Sequence, residues 1–350
     1  MLHENTHNEP ERLAAALQGL RAYQHAVRPE RPADMPIVAR AGRAMLRDYG
    51  VPGGGGRPVV IVPSLINGPE VLDLLPDVSL LRWLAGRGLR PLRVEWGVPD
   101  PGEHALSIAG HVETMLLPLL ESAGPEATLV GYCLGGTMAL AAALVRPPAA
   151  LALIATPWRF GAFGDEARDG IAALWRDARP TAERIGMLPL EVLQAGFWQL
   201  DPRRVVDKFV AFGRKTAPAA ATDLFVAVED WANEGPPLTL AAGRDLIVGM
   251  FAGDMTGTGR WKVGGRAIDP AALACPVLDI VSTTDRIVPA ASAAGPLIPH
   301  ARRLTLTQGH VGMMIGGHAR AMLWEPLAEW LANPHKAAQY VDSLNMSPDP

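Results

Sequence analysis

Cysteine, aspartate and histidine stand in the chain order Cys133, Asp285, His310, each in or just past a turn that follows an apolar run. Together such side chains can do nucleophilic acyl chemistry. A histidine takes the thiol proton, an aspartate fixes the imidazole tautomer and stabilises the imidazolium, and the sulfur attacks an acyl carbon. The surroundings of the cysteine are the most telling. Gly131-Tyr132-Cys133-Leu134-Gly135-Gly136 lies between an apolar run, Ala127 to Val130, and a small-residue run, Thr137 to Leu144. That pattern predicts a strand, a tight turn and a helix, with Cys133 at the apex and the glycines relieving crowding. A side chain there leaves the carboxyl end of the sheet, where open α/β sheets bind ligands. The helix N-terminus beneath it favours the thiolate.

Main-chain N–H groups of Leu134 and of the Leu65–Ile66 loop are expected to hold the oxyanion of a tetrahedral intermediate. Other residues have plainer readings. Cys275 opens an apolar run and behaves as a small buried hydrophobe. Asp285 could instead cap a helix, and His318 is the main rival to His310, whose flanking glycines leave its ring accessible. Asp279 is expected to be structural. His104, His111 and His300 show no metal-ligand spacing with acids or cysteines, so no metal site is expected.

The elements that must position these groups come next. Short apolar or β-branched runs at Arg57 to Pro63, Leu89 to Trp96, Ala127 to Val130, Ala150 to Ala155, Cys275 to Val281 and Arg303 to Leu306 predict strands. Helical patterns at Ser79 to Arg87, Ile108 to Ser122, Thr137 to Leu144 and Ala319 to Leu331 alternate with them. Such an order predicts an α/β-hydrolase fold: a mostly parallel sheet with helices on both faces. From Pro157 to about Gly265 the rhythm gives way to aromatic-rich helical patterns, expected to be an inserted, mainly helical cap whose aromatics form its own core. The expected organisation is an N-terminal helical segment over 1–50, a hydrolase core over 51–156 and 266–333, a cap over 157–265 and a loose tail over 334–350. The first segment is predicted to hold a helix from Glu11 to Val27 and a second from Ile37 to Tyr49.

Composition excludes several classes. Forty-nine per cent hydrophobic and 19% charged residues describe a soluble globular chain with ample core. A net charge of −4 gives no reason to expect nucleic acid or an anionic membrane as partner. No run approaches the ~18 apolar residues of a membrane span, and the polar, acidic start is unlike a secretory signal. Two cysteines make no disulfide framework and fit a reducing cytoplasm.

With those residues in view, the stretch from about Pro58 to Trp330 resembles the polyhydroxyalkanoate (poly-3-hydroxybutyrate) synthases, most of all the short class III catalytic subunit. Gly131 to Thr137 is similar to the family's cysteine-bearing lipase-like box, and Val60 to Leu80, with Ile66-Asn67 and Leu72-Asp73-Leu74, resembles the stretch before it. Glu95-Trp96-Gly97-Val98-Pro99-Asp100 is similar to the family's Asp-Trp-Gly-x-Pro-Asp. Trp261 to Asp269, Cys275-Pro276 and Asp285-Arg286-Ile287-Val288-Pro289 resemble the approach to the catalytic aspartate, and Gly309-His310-Val311 resembles the catalytic Gly-His-Ile. The resemblance implies a Cys133-His310-Asp285 triad that moves 3-hydroxyacyl groups from coenzyme A to the cysteine and then onto a growing polyester, with no cofactor beyond the coenzyme A thioester as substrate. It implies a non-catalytic synthase subunit or a second copy of the chain as partner, and a cytoplasmic location or polyester granules. Two other functions fit the same residues: a thioesterase or polyester depolymerase, and a non-catalytic protein that binds granules or another subunit.

Overall fold

The computed structural model describes residue 6 and residues 9–200, 202–214 and 219–335. A helix, α1 (Pro10–His25), precedes a hairpin of β1 (Ile37–Ala41) and β2 (Ala44–Asp48). The predicted helix over Ile37 to Tyr49 is therefore wrong. Gly42, at φ 57°, makes the two-residue turn that the hairpin needs. Ala44 and Leu46 are buried at a spacing of two. Pairing with the sheet edge overrides the helical leanings of Ala, Arg, Met and Leu in this stretch.

The core continues with β3 (Arg57–Val62), α2 (Leu80–Ala85) and β4 (Leu89–Glu95). Next comes a helical run, α3, in which Ile108–His111 passes through a π turn, Val112–Leu116, into Leu117–Ala123. Then follow β5 (Thr128–Tyr132), α4 (Leu134–Val145) and β6 (Leu151–Ile154). After an insertion, β7 (Val277–Ser282) and β8 (Arg302–Leu306) complete an eight-stranded sheet of order β1-β2-β4-β3-β5-β6-β7-β8. β2 pairs antiparallel with both β1 and β4, and every other neighbouring pair is parallel.

Strand side chains alternate between two apolar layers. Val60 and Val62 face one with α3 and α4, while Val59 and Ile61 face the other with α2 and the C-terminal helix, Glu325–Ala332. A sheet covered on both faces explains the continuous β-branched runs. Each buried Leu, Ile or Val adds about 1.5–3 kcal/mol relative to exposure. Residues 134–144 of α4 are all buried, as a helix apolar on every side must be.

Between β6 and β7 the chain forms α5 (Asp165–Ile185), α6 (Leu190–Leu200), α7 (Pro202–Arg214) and α8 (Ala219–Asn233). A short helix, Leu240–Arg244, follows and runs into a π helix, Asp245–Ala252. α1 packs on α7 of this cap through Ala15, Ala16 and Gly19, against Val206 and Val210. Small residues are needed there, because a Cβ at Gly19 would collide with the Phe209 carbonyl. Elsewhere on α1, Leu17 is exposed, whereas Tyr23 packs edge-on to Phe225 and donates to Asp230 at 2.6 Å. No helix among the described residues is long and apolar enough to cross a membrane. Residues 336–350 of the expected tail lie outside the described residues.

Candidate active site

The turn between β5 and α4 holds Cys133 at φ 56° and ψ −131°. A non-glycine residue at positive φ is strained and persists only where its surroundings fix it. Here the Cys133 N–H donates to the Ile154 carbonyl at 2.9 Å, and the Cys133 carbonyl accepts from Gly136 N–H at 2.9 Å. The glycines are sterically required: a Cβ at Gly136 would strike the Thr156 side chain, and one at Gly131 would strike the Gly136 backbone. β5 and α4 cross so closely that the apex residue is forced outward.

Asp285 lies in the loop after β7 and His310 in the loop after β8. Thr284 Oγ1 joins the two loops by donating to the Thr307 carbonyl at 2.7 Å. Asp285 Oδ1 accepts the N–H groups of Ile287 (2.8 Å) and Val288 (2.9 Å), which aims Oδ2 at His310 Nδ1, 2.7 Å away. The other ring nitrogen is left free of Asp285, and the nearby Cys133 side chain acts electrostatically on the imidazole. Burial pulls the His310 imidazolium down, but the Cys133 sulfur and the Asp285 carboxylate, through charge and hydrogen bonds, outweigh it and push it up to about 10.

Tyr132, beside the cysteine in sequence, stacks on the His310 ring with centroids 5.0 Å apart and donates to the His310 carbonyl at 3.3 Å. Burial, with Cys133 and Asp285 nearby, raises its phenol well above its ordinary value, so it stays neutral. Sequence reasoning gave Tyr132 no role; its place inside the elbow was the only signal.

Leu134 and Ile66 line the same cavity as Cys133. Leu65 instead faces a polar cavity on the other side of the loop, and the Ile66 N–H already donates to Ser64 Oγ at 3.0 Å. The loop is tied to the cap. Asn67, at φ 60°, donates through Nδ2 to the carbonyls of Trp231 (3.2 Å) and Ala232 (3.1 Å), and Trp231 Nε1 donates to the Gly68 carbonyl at 2.8 Å.

The cavity beside Cys133 measures about 70 Å³, and its wall is almost wholly hydrocarbon and aromatic. Phe160, Phe163 and Phe251 form one side, so these cap aromatics pack on one another and also face the site. The remaining candidates lie elsewhere. His318 is exposed at a helix start, and His300 Nε2 bonds the Cys275 carbonyl at 2.7 Å. Burial pushes the Cys275 thiol up to about 11, which leaves it inert. Among the described residues no group of three or more His, Cys, Asp or Glu could hold a metal ion.

No family model matches the sequence. Among curated proteins, the chain is 26% identical over 300 residues to the poly(3-hydroxyalkanoate) polymerase subunit PhaC of Allochromatium vinosum, covering 81% of this chain and 83% of that one. It is likewise 26% identical over 292 residues to the PhaC subunit of Synechocystis, covering 79% and 77%, and 25% identical over 292 residues to that of Haloferax mediterranei. The chain is a relative of the poly(3-hydroxyalkanoate) polymerases. It matches 79% of itself to the Haloferax protein but spans only 58% of that protein's length, and 64% of that of Haloarcula marismortui. Among solved structures, a Mycobacterium tuberculosis protein described as a non-heme bromoperoxidase, BpoC, superposes with a TM-score of 0.52 at 16% identity over 86% of this chain and 98% of that one. One from Burkholderia cenocepacia, described as an aryl esterase, gives 0.50 at 16% over 86% and 98%. These likenesses concern the fold, which is that of the α/β hydrolases, as the strand and helix order predicts.

Proposed function

We propose that this chain is a cysteine-dependent acyltransferase that polymerises 3-hydroxyacyl groups from coenzyme A thioesters into polyhydroxyalkanoate. The observation that carries the reading is Cys133 at a strained apex, electrostatically coupled to an imidazole that Asp285 grips, and opening onto a chamber with almost no polar wall. The names of the polymerase relatives supply the substrate class.

On this reading His310 takes the Cys133 proton, and the thiolate adds to the thioester carbonyl. The oxyanion sits at the Leu134 N–H with one further amide from the Leu65–Ile66 loop. Because the Ile66 amide is turned to Ser64, that second donor is Leu65 or an Ile66 released from its turn. Collapse expels the thiol of coenzyme A, which leaves with the proton from His310. The hydroxyl of a second hydroxyacyl group then gives its proton to His310 and attacks the acyl-cysteine, forming an ester and freeing the thiolate. Exchange of one thioester for another is nearly balanced, so the acyl group stays activated for that step. A second subunit or second copy of the chain is part of the proposal, since the relatives are named as subunits.

Given 3-hydroxybutyryl-CoA, the purified protein should release coenzyme A and accumulate insoluble polymer, and Cys133→Ala should do neither. Free 3-hydroxy acid as the sole product would make the protein a thioesterase. No release of coenzyme A, alone or with added subunits, would make it a binding protein.

A further inference from the structure

We propose that the chamber beside Cys133 receives the alkyl substituent of the acyl group carried on that cysteine, and that Gly196 sets the length it accepts, favouring about three carbons over a methyl group. The proposal rests on the acyl-transfer reading and adds to it the class of acyl group.

Three observations carry it. The chamber is lined on its core side by Cys133, Leu134 and Ile66 and on its cap side by residues of α5 and α6 that include Leu174 and Gly196. An acyl group on the sulfur has its carbonyl among the loops and its substituent directed toward the cap. The wall, in turn, selects chemistry. The edge-to-face cluster of Phe160, Phe163 and Phe251, with centroids 4.9 and 5.0 Å from Phe251, offers carbon to carbon. Methylenes gain there, whereas the amides and phosphates of coenzyme A would lose water without finding partners.

Size is the third. An engineered apolar cavity of about 150 Å³ takes up a benzene ring. On that scale the 70 Å³ of this chamber suits a substituent of about three carbons. A methyl group would leave most of the space without contacts and forfeit their dispersion attraction.

Gly196 is where this length is fixed. It lies inside α6, where glycine is a poor helix former. A Cβ built on it meets only Leu174 Cδ1, at 3.4 Å, so nothing in the packing demands glycine. Any longer side chain would extend into the chamber beside Leu174.

The test compares kcat/KM for 3-hydroxyhexanoyl-CoA and 3-hydroxybutyryl-CoA in wild type, Gly196→Ala and Gly196→Leu. At about fourfold per accommodated methylene, wild type should prefer the longer substrate roughly tenfold or more. Gly196→Leu should erase that preference and Gly196→Ala should reduce it less, with thermal stability kept or raised in both. A wild-type preference for the butyryl thioester, or an unchanged ratio in Gly196→Leu, overturns the assignment. If neither thioester is turned over, the acyl-transfer reading fails, and the chamber is then read without turnover. Methyl and propyl methanethiosulfonates each give a mixed disulfide at Cys133 with release of methanesulfinate, followed by mass spectrometry. Faster labelling by the propyl reagent in wild type only would uphold the chamber, and equal ratios in wild type and Gly196→Leu would overturn it.

Discussion

Asp285→Asn removes one of the two acids that hold the His310 proton while keeping the shape of the side chain. The rise of the imidazolium from 6.5 to about 10 corresponds to roughly 5 kcal/mol in its favour, against the burial that opposes it. Cys133 and Asp285 share that contribution. Loss of a hydrogen bond to a charged group costs about 1.5–3 kcal/mol, so a step in which His310 holds a proton should slow by roughly 10²-fold. Asparagine adds a second penalty. Its amide can donate as well as accept, so the ring is free to take the tautomer that turns an N–H toward sulfur, and the total loss reaches about 10²–10³-fold. Acyl-enzyme formation at Cys133, followed by intact mass in a single turnover at neutral pH, measures the rate. NMR titration of His310 in the resting protein measures the cause, and its midpoint should fall clearly below that of the wild type. Acylation within threefold of wild type, together with an unmoved His310 titration, would refute the assignment of Asp285 as the partner of this histidine.

Two further outcomes follow from groups around the site. His111 in α3 is held neutral: its Nδ1–H donates to the Ser107 carbonyl at 2.7 Å and Nε2 accepts from Arg43 at 2.7 Å. Burial, with the Arg43 charge, lowers it to about 4. Its folded value lies below its unfolded one, so the stability it contributes is complete above 6.5 and is lost as pH falls from there toward 4, by up to roughly 3 kcal/mol. Melting temperatures measured from pH 7 to 4 should fall less steeply in His111→Asn than in wild type, and identical slopes would show that His111 is not the sensor. Gly131→Ala places a methyl group against the Gly136 backbone, forcing α4 off β5 at a cost of roughly 1–3 kcal/mol. Because that crossing sets the Cys133 apex, acylation should fall further than stability does; wild-type melting and acylation would show that the crossing has slack.

The elements that carry the site were legible because their signals are local. A β-branched run, three glycines around a cysteine and a histidine between glycines each constrain the backbone within a few residues. What was not legible depends on partners distant in sequence. Nothing between Ile37 and Tyr49 says that β4 waits to pair with Leu46; the register Leu46 to Val94 exists only once the sheet has formed. The stacking of Tyr132 on His310 spans 178 residues, and the Asn67 bridge to Trp231 spans 164. Phe160 and Phe163 were expected to be cap core, and their packing on Phe251 agrees, yet the same rings wall the chamber. Hydrophobic pattern records that a residue is buried and not what it is buried against.

The Asn67 bridge matters beyond legibility. The loop that carries Leu65 and Ile66 touches the nucleophile's cavity, the polar cavity behind it and the cap helix α8 together. If the cap shifts to admit a substrate, the carbonyls of Trp231 and Ala232 move with it, and the Asn67 amide must follow or lose its acceptors. Following would turn the Ile66 amide away from Ser64 Oγ and toward the place where the proposed oxyanion forms. Cap position and oxyanion stabilisation would then be one variable. On the acyl-transfer reading such a coupling has a use: the second donor turns toward the oxyanion as the cap moves to admit a substrate. On that proposed reading the choice of sulfur serves acyl transfer, since a thioester held in an apolar chamber would keep its transfer potential until the next hydroxyl arrives.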